Sequence, residues 1–236
     1  MTSFLSHLHT ELRRTLLTRR GATHHPDDVE RGLHKSYPRM TQIALPEPLA
    51  LDARLEETLK NRHSAQEGDA TVPLTLQECG TLLGLSLRKR PNESRRNYPS
   101  GGGLYPVETY LISTALESQT PAVFHYNPSE HALERLWDVP EYFDIKNIAK
   151  HPESLTLSTL IVFTGVWERS SAKYGELAYL HALLEAGHMS ENILLVGTAL
   201  NLNVRPYAGF SDERVAKLLD IDEDNEQTVH SITVCK

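Results

Sequence analysis

Leu5, Leu8, Leu12 and Leu16 recur at helical spacing, so the pattern predicts an amphipathic helix over 3–19, ended by Gly21. From Ala22 to Pro48 the periodicity lapses, and Pro26, Pro38, Pro46 and Pro48 describe an extended arm that wraps the body or a partner. Periodicity returns over 49–60 through Leu51, Leu55 and Leu59, which divides the chain into a helix-and-arm extension, 1–48, and a body, 49–236. Thr75 with Glu78 three residues on is a capping box, starting a helix through Leu82, Leu83 and Leu85. A strand is expected over 107–112, and a hairpin over 122–126 and 132–136 about Asn127-Pro128. The continuous apolar run 160–166 predicts a central strand covered on both faces. A long apolar helix over 176–200 follows, opened by Lys173-Tyr174-Gly175. Small Ala182, Ala186, Gly187, Gly197 and Ala199 let another helix approach it, in the core or from a second subunit. A helix over 212–219 and a strand over 228–234 complete an α+β order without regular alternation.

At 236 residues and 39% hydrophobic content the body can bury a large core. A net charge of -7 argues against a nucleic-acid groove, and the basic run Arg88 to Arg96 reads as a solvated face. Cys79 and Cys235 form no disulfide framework and no CxxC pair, which fits a reducing cytoplasm, and no apolar run suits a signal peptide or a membrane span. His24, His25, His125 and His131 read as surface or turn residues. His181, Glu185 and His188 share a helix face, but packing and hydrogen bonding are expected of them and no metal.

The densest chemical signal is Arg95 to Pro106, where Gly101-Gly102-Gly103 stands between Pro99 and Pro106 just before a strand. Backbone amides there can approach a flat or anionic ligand unobstructed. The run is neither G-x-G-x-x-G nor a P-loop. Taken with Lys173-Tyr174-Gly175 and Pro206-Tyr207-Ala208-Gly209-Phe210, it resembles the flavin-dependent dehydrogenases that oxidise azolines in ribosomally made peptides, a branch of the nitroreductase superfamily. The resemblance covers about Leu55 to Val234. It implies a nitroreductase-like α+β fold with FMN at the interface of a homodimer, and it implies a precursor peptide as substrate and cyclodehydratase or synthetase subunits as partners.

The same resemblance assigns residues. Pro99, Ser100, Gly101 and Gly102 would lie along the isoalloxazine, and Ala208, Gly209 and Phe210 would reach its N5 and O4 edge. Arg62 and Ser64 match an Arg-x-Ser-x-Arg element that holds the FMN phosphate, a pairing suited to a guanidinium. Gln66 departs from it, standing where the family has Arg, and Val234-Cys235-Lys236 lacks the family's Gly and trailing basic residue. Lys173 and Tyr174 match a catalytic pair. Oxidising an azoline removes a hydride and a proton from neighbouring ring carbons, and a lysine takes the proton only where burial or a nearby cation favours its neutral form. Two other functions stay open: a nitro- or quinone reductase of small molecules on the same fold, and a flavin-free scaffold subunit.

Overall fold

In a computed structural model the described residues are His7, 34–65, 72–113, 116–117, 119–139, 148–150 and 159–236. Gln66 and, apart from His7, the helix expected over 3–19 lie outside them. The centre is a seven-stranded sheet of β1 Thr41–Ala44, β2 Val107–Ser113, β3 Ala122–Asn127, β4 Ala132–Asp138, β5 Thr159–Val166, β6 Asn203–Pro206 and β7 Glu226–Cys235. Its order is β1-β4-β3-β2-β5-β7-β6, and every neighbouring pair is antiparallel. The architecture is α+β, as the element pattern predicts.

Among the described residues five α-helices accompany the sheet: α1 Leu55–Asn61, α2 Leu76–Leu87, α3 Glu168–Tyr174, α4 Leu177–Ala199 and α5 Asp212–Leu219. One face of the sheet presents Phe124, Phe163 and Ile232 to Leu82 and Leu83 of α2 and to Ala186 and Ile193 of α4. The other face sets Tyr110, Ile112 and Val162 against Val215 and Leu219 of α5. β5 is buried along its whole length, because both layers close on it.

Within the N-terminal extension, Thr41–Ala44 form β1, an edge strand in register with Ala132 to Arg135, and this backbone pairing closes the β4 edge. Several expectations are corrected. α1 starts at Leu55, later than its periodicity suggests. Lys173 and Tyr174 close the separate helix α3, because Gly175 takes φ 56° and breaks the chain before α4. Arg96 and His125 are buried and lie off the surface, and His131, which does stand in the turn before β4, is buried as well.

The reason for those three is polar pairing inside the core. Arg96 lies over the Tyr105 ring, 4.6 Å from its centroid, and donates to the Tyr98 hydroxyl at 2.6 Å. His131 bonds the Pro46 carbonyl and the Tyr126 hydroxyl. His125, fully enclosed, stands between Glu108 at 2.9 Å and Glu134 at 2.7 Å. Burial opposes its charge, yet the two carboxylates outweigh that and hold its pKa above the ordinary histidine value.

α2 begins as the sequence predicts: the Thr75 side chain accepts from the Glu78 amide at 3.1 Å, and the Glu78 carboxylate accepts from the Thr75 amide at 2.9 Å. Thr75→Ala should therefore lower stability by about 1 kcal/mol. A urea melt whose midpoint does not move would show that the cap adds nothing to the body.

Candidate functional site

The three glycines form a single 3-10 turn, Gly101–Gly103, on the approach to β2. Gly102 at φ 67° and Gly103 at φ 69° occupy the left-handed region, which a side chain disfavours. Space adds a second requirement at Gly102. A Cβ there would meet the Tyr174 hydroxyl at 2.5 Å and Lys173 Nζ at 2.8 Å. A Cβ on Gly101 would meet His181 Nδ1 at 2.9 Å. The turn, the end of α3 and the first turns of α4 thus converge on one half-buried spot.

His181 joins the group by packing, its ring edge-on to Tyr174 with centroids 4.5 Å apart. Its Nδ1 is buried without a hydrogen-bond partner. One turn further along α4, Glu185 reaches beneath the loop. Its Oε1 accepts weakly from the Val107 amide at 3.4 Å, and its Oε2 has no partner. Ser100 is turned inward, accepting from the Tyr105 amide at 2.9 Å and donating to Glu185. Burial raises the Glu185 pKa to about 7, although Ser100 and Arg96 oppose the rise. His188 is exposed, so the three-residue face of α4 splits between the loop and solvent.

Arg169, at the start of α3, was not singled out from sequence. Its guanidinium donates to the Tyr105 carbonyl at 3.2 Å and to Glu108 Oε1. Glu108 also accepts from the Lys35 amide at 2.5 Å and bonds His125. Lys35 Nζ in turn bonds Glu226, which accepts from Thr164 at 2.5 Å and Tyr110 at 3.2 Å. Burial would raise the Glu108 pKa, but Arg169 and His125 outweigh it and hold the carboxyl far below its usual range. The available signal was an acid inside a strand pattern, Val-Glu-Thr-Tyr-Leu-Ile.

The other sequence candidates stand elsewhere. Arg62 is the C-cap residue of α1 and lines a cleft of about 660 Å3 with Lys60, Thr198, Asn201 and Asn203. Ser64 is exposed nearby, and the Ala65 amide bonds the Val204 carbonyl of β6. Pro206 to Phe210 continue from that edge strand. Ala208 is exposed, Gly209 accepts from the Tyr207 hydroxyl and the Lys150 amide, and Phe210 is buried. Pro99 is exposed. His181, beside the loop, and Thr198, beside Arg62, are 17 residues apart on α4, a separation of about 25 Å at 1.5 Å per residue. The two groups of candidate residues therefore stand at opposite ends of α4.

The glycine cradle, the unpartnered His181 nitrogen and the cationic cleft suit a flat ligand with an anionic tail, and FMN has that shape and charge. Among the described residues no helix is long and apolar enough to cross a membrane.

Comparison with known proteins adds five findings. A model described as the nitroreductase family matches residues 59–235. MJ1384 of Methanocaldococcus jannaschii, which carries a nitroreductase designation, is 25% identical over 173 residues, covering 73% of this chain and 87% of that protein. The microcin B17-processing protein McbC of Escherichia coli is 32% identical over 145 residues, which is 56% of this chain but only 51% of McbC. Among solved structures, a chain of the E. coli microcin synthetase McbBCD complex with truncated pro-MccB17 superposes with a TM-score of 0.67 at 22% identity, covering 99% of this chain and 92% of that one. A nitroreductase-type protein of Exiguobacterium sibiricum in complex with FMN superposes at 0.53 with 13% identity, covering 79% and 90%. These superpositions establish a shared fold.

Glu185 generates a pH prediction. Its folded pKa lies above the unfolded value, so the folded state binds more protons between about pH 4.5 and 7. Its contribution is complete below that window and is lost as pH rises through it. Glu185→Gln should remove this dependence, and the wild-type minus variant stability should fall by a few kcal/mol from pH 4.5 to 7.5, at about 1.4 kcal/mol per unit. Parallel melting curves across that range would refute the protonated state.

Proposed function

The chain belongs to the nitroreductase family, and on that premise we propose that it is an FMN-dependent dehydrogenase converting thiazolines or oxazolines of a ribosomally made precursor peptide into thiazoles or oxazoles. The observation that carries this reading is the meeting of Lys173 Nζ and the Tyr174 hydroxyl at Gly102. A nitro or quinone reduction needs no base at that point, whereas aromatising an azoline does. The similarity to McbC, named for microcin B17 processing, supports the peptide substrate and synthetase partners. Half of McbC lies outside the match, so the substrate and the partners rest on this proposal. The match to MJ1384 favours small-molecule reduction as the second reading.

FMN, when bound, supplies the two-electron acceptor that takes a hydride from one ring carbon. Lys173 takes the proton from the neighbouring carbon, and the ring loses two hydrogens in all. Tyr174 orients the amine or relays its proton. Gly101 and Gly102 leave room for the ring system, and Pro99 and Ser100 shape the rim. Arg62 would pair with the phosphate in the cleft, with Ser64 beside it, and Ala208, Gly209 and Phe210 would line the remaining edge.

With the half-sites about 25 Å apart along α4, further than one FMN reaches, the complete site takes Arg62 from one chain and the glycine loop from a second. The faces that would meet are apolar: Leu55 and Leu59 of α1 and Leu184 of α4 are exposed, and nothing lies within 4 Å of a Cβ on Gly187. Residues 1–48 serve as the arm for partner subunits, with 34–48 held against the body.

Lys173→Ala should keep bound FMN yet lose about 10²- to 10⁴-fold in anaerobic single-turnover flavin reduction by an azoline peptide. The product peptide would retain the ring-closure water loss but lack the further two-hydrogen decrease. Reduction at the wild-type rate would remove Lys173 as the base. Gly187→Trp tests the assembly, because the indole enters space that is open in one chain and filled in a dimer. Sedimentation should show monomers without flavin, and an FMN-loaded dimer would place the interface elsewhere.

A further inference from the structure

Lys173 and Tyr174 sit on a seven-residue helix with no side-chain N-cap and a glycine break behind it. Two turns of helix do not hold themselves in water. Something in the body must fix α3 against the glycine loop, and the contacts single out one side chain.

We propose that Arg169 is a positioning residue for Lys173 and Tyr174, holding α3 at a set distance from the glycine loop. Arg169 and Lys173 are four residues apart, so both leave α3 on the same face. The Arg169 fork donates to the Tyr105 carbonyl, three residues beyond Gly102, and to Glu108 at the start of β2. One guanidinium therefore joins the helix carrying the amine to the exit of the loop that the amine must face. Tyr105 itself holds φ 47°, a strained value that the surrounding contacts must maintain.

Glu108 is a rigid anchor for that fork. Its carboxylate is fixed from β3 by His125 and from the N-terminal segment by the Lys35 amide. Lys35 Nζ, Glu226 and Glu134 extend the cluster, so three buried carboxylates face three cations when His125 is protonated. A planar fork can satisfy two acceptors at once, whereas an ammonium acts as a point charge. The segment around Lys35 thus takes part in holding the catalytic helix, although it lies far from it in sequence.

This inference rests on the proposed role of Lys173, and its test separates the two. In flavin-free protein, acetylation of lysines by acetic anhydride is read by peptide mass spectrometry. In Arg169→Gln the labelling of Lys173 should rise relative to Lys60 and Lys217, because a released α3 exposes Nζ. In FMN-loaded protein the same variant should keep its flavin and lose up to about a hundredfold in single-turnover reduction by an azoline peptide, the scale of a 1 Å misplacement. Arg169→Lys should fall between the two in both measurements, and it carries the test if Arg169→Gln does not fold. Unchanged Lys173 labelling would overturn the positioning role, as would an unchanged reduction rate in a variant whose parent reduces flavin. If the parent itself fails to react with azoline peptides, the functional reading falls and the labelling still decides the role of Arg169.

Discussion

Glu108 is the residue on which the arrangement depends. Its carboxylate is almost wholly buried and receives donors from three separate parts of the chain: Lys35 before β1, His125 on β3 and Arg169 on α3. An isolated charge at that depth would be untenable, and a buried pair that loses one partner costs about 3 to 5 kcal/mol. The cluster therefore forms complete or not at all. Completing it brings the N-terminal segment, the hairpin and the short helix to fixed places around the start of β2, where the glycine loop ends.

The loop needs that precision because its tolerances are small. Gly102 combines a left-handed backbone with a space into which Lys173 Nζ and the Tyr174 hydroxyl reach, so a side chain there would be strained and would displace both. Glu185 and His181 complete the floor from α4, each with a polar atom that no protein group satisfies. Unpaired buried polar atoms are uncommon in stable cores and gather where a ligand or a reaction supplies the partner.

Much of this was legible in the residues. Thr75 and Glu78 announced their cap, the apolar run 160–166 announced a strand buried on both faces, and the glycines stood out beside their prolines. What could not be read was long-range pairing. β1 has no pattern of its own and exists because the β4 edge offers hydrogen bonds. His125 reads as a surface or turn residue until Glu108 is placed between β3 and α3. Arg169 was silent for the same reason, since its partners are 61 and 64 residues away. The break at Gly175 was visible as a glycine, yet only its φ shows that Lys173 ends one helix instead of opening the next.

The central claim is that one flavin site is assembled from the Arg62 end of one chain and the glycine loop of another. Complementation tests it directly. Arg62→Ala and Gly102→Val proteins, each deficient in FMN binding, are mixed, dissociated and reassociated, and bound flavin is measured by absorbance near 450 nm. A shared site predicts recovery, because every mixed dimer contains one site with both halves intact; random pairing makes that about a quarter of all sites. If both halves belonged to one chain, no mixture of the two variants would bind more flavin than its components, and that result would contradict the account.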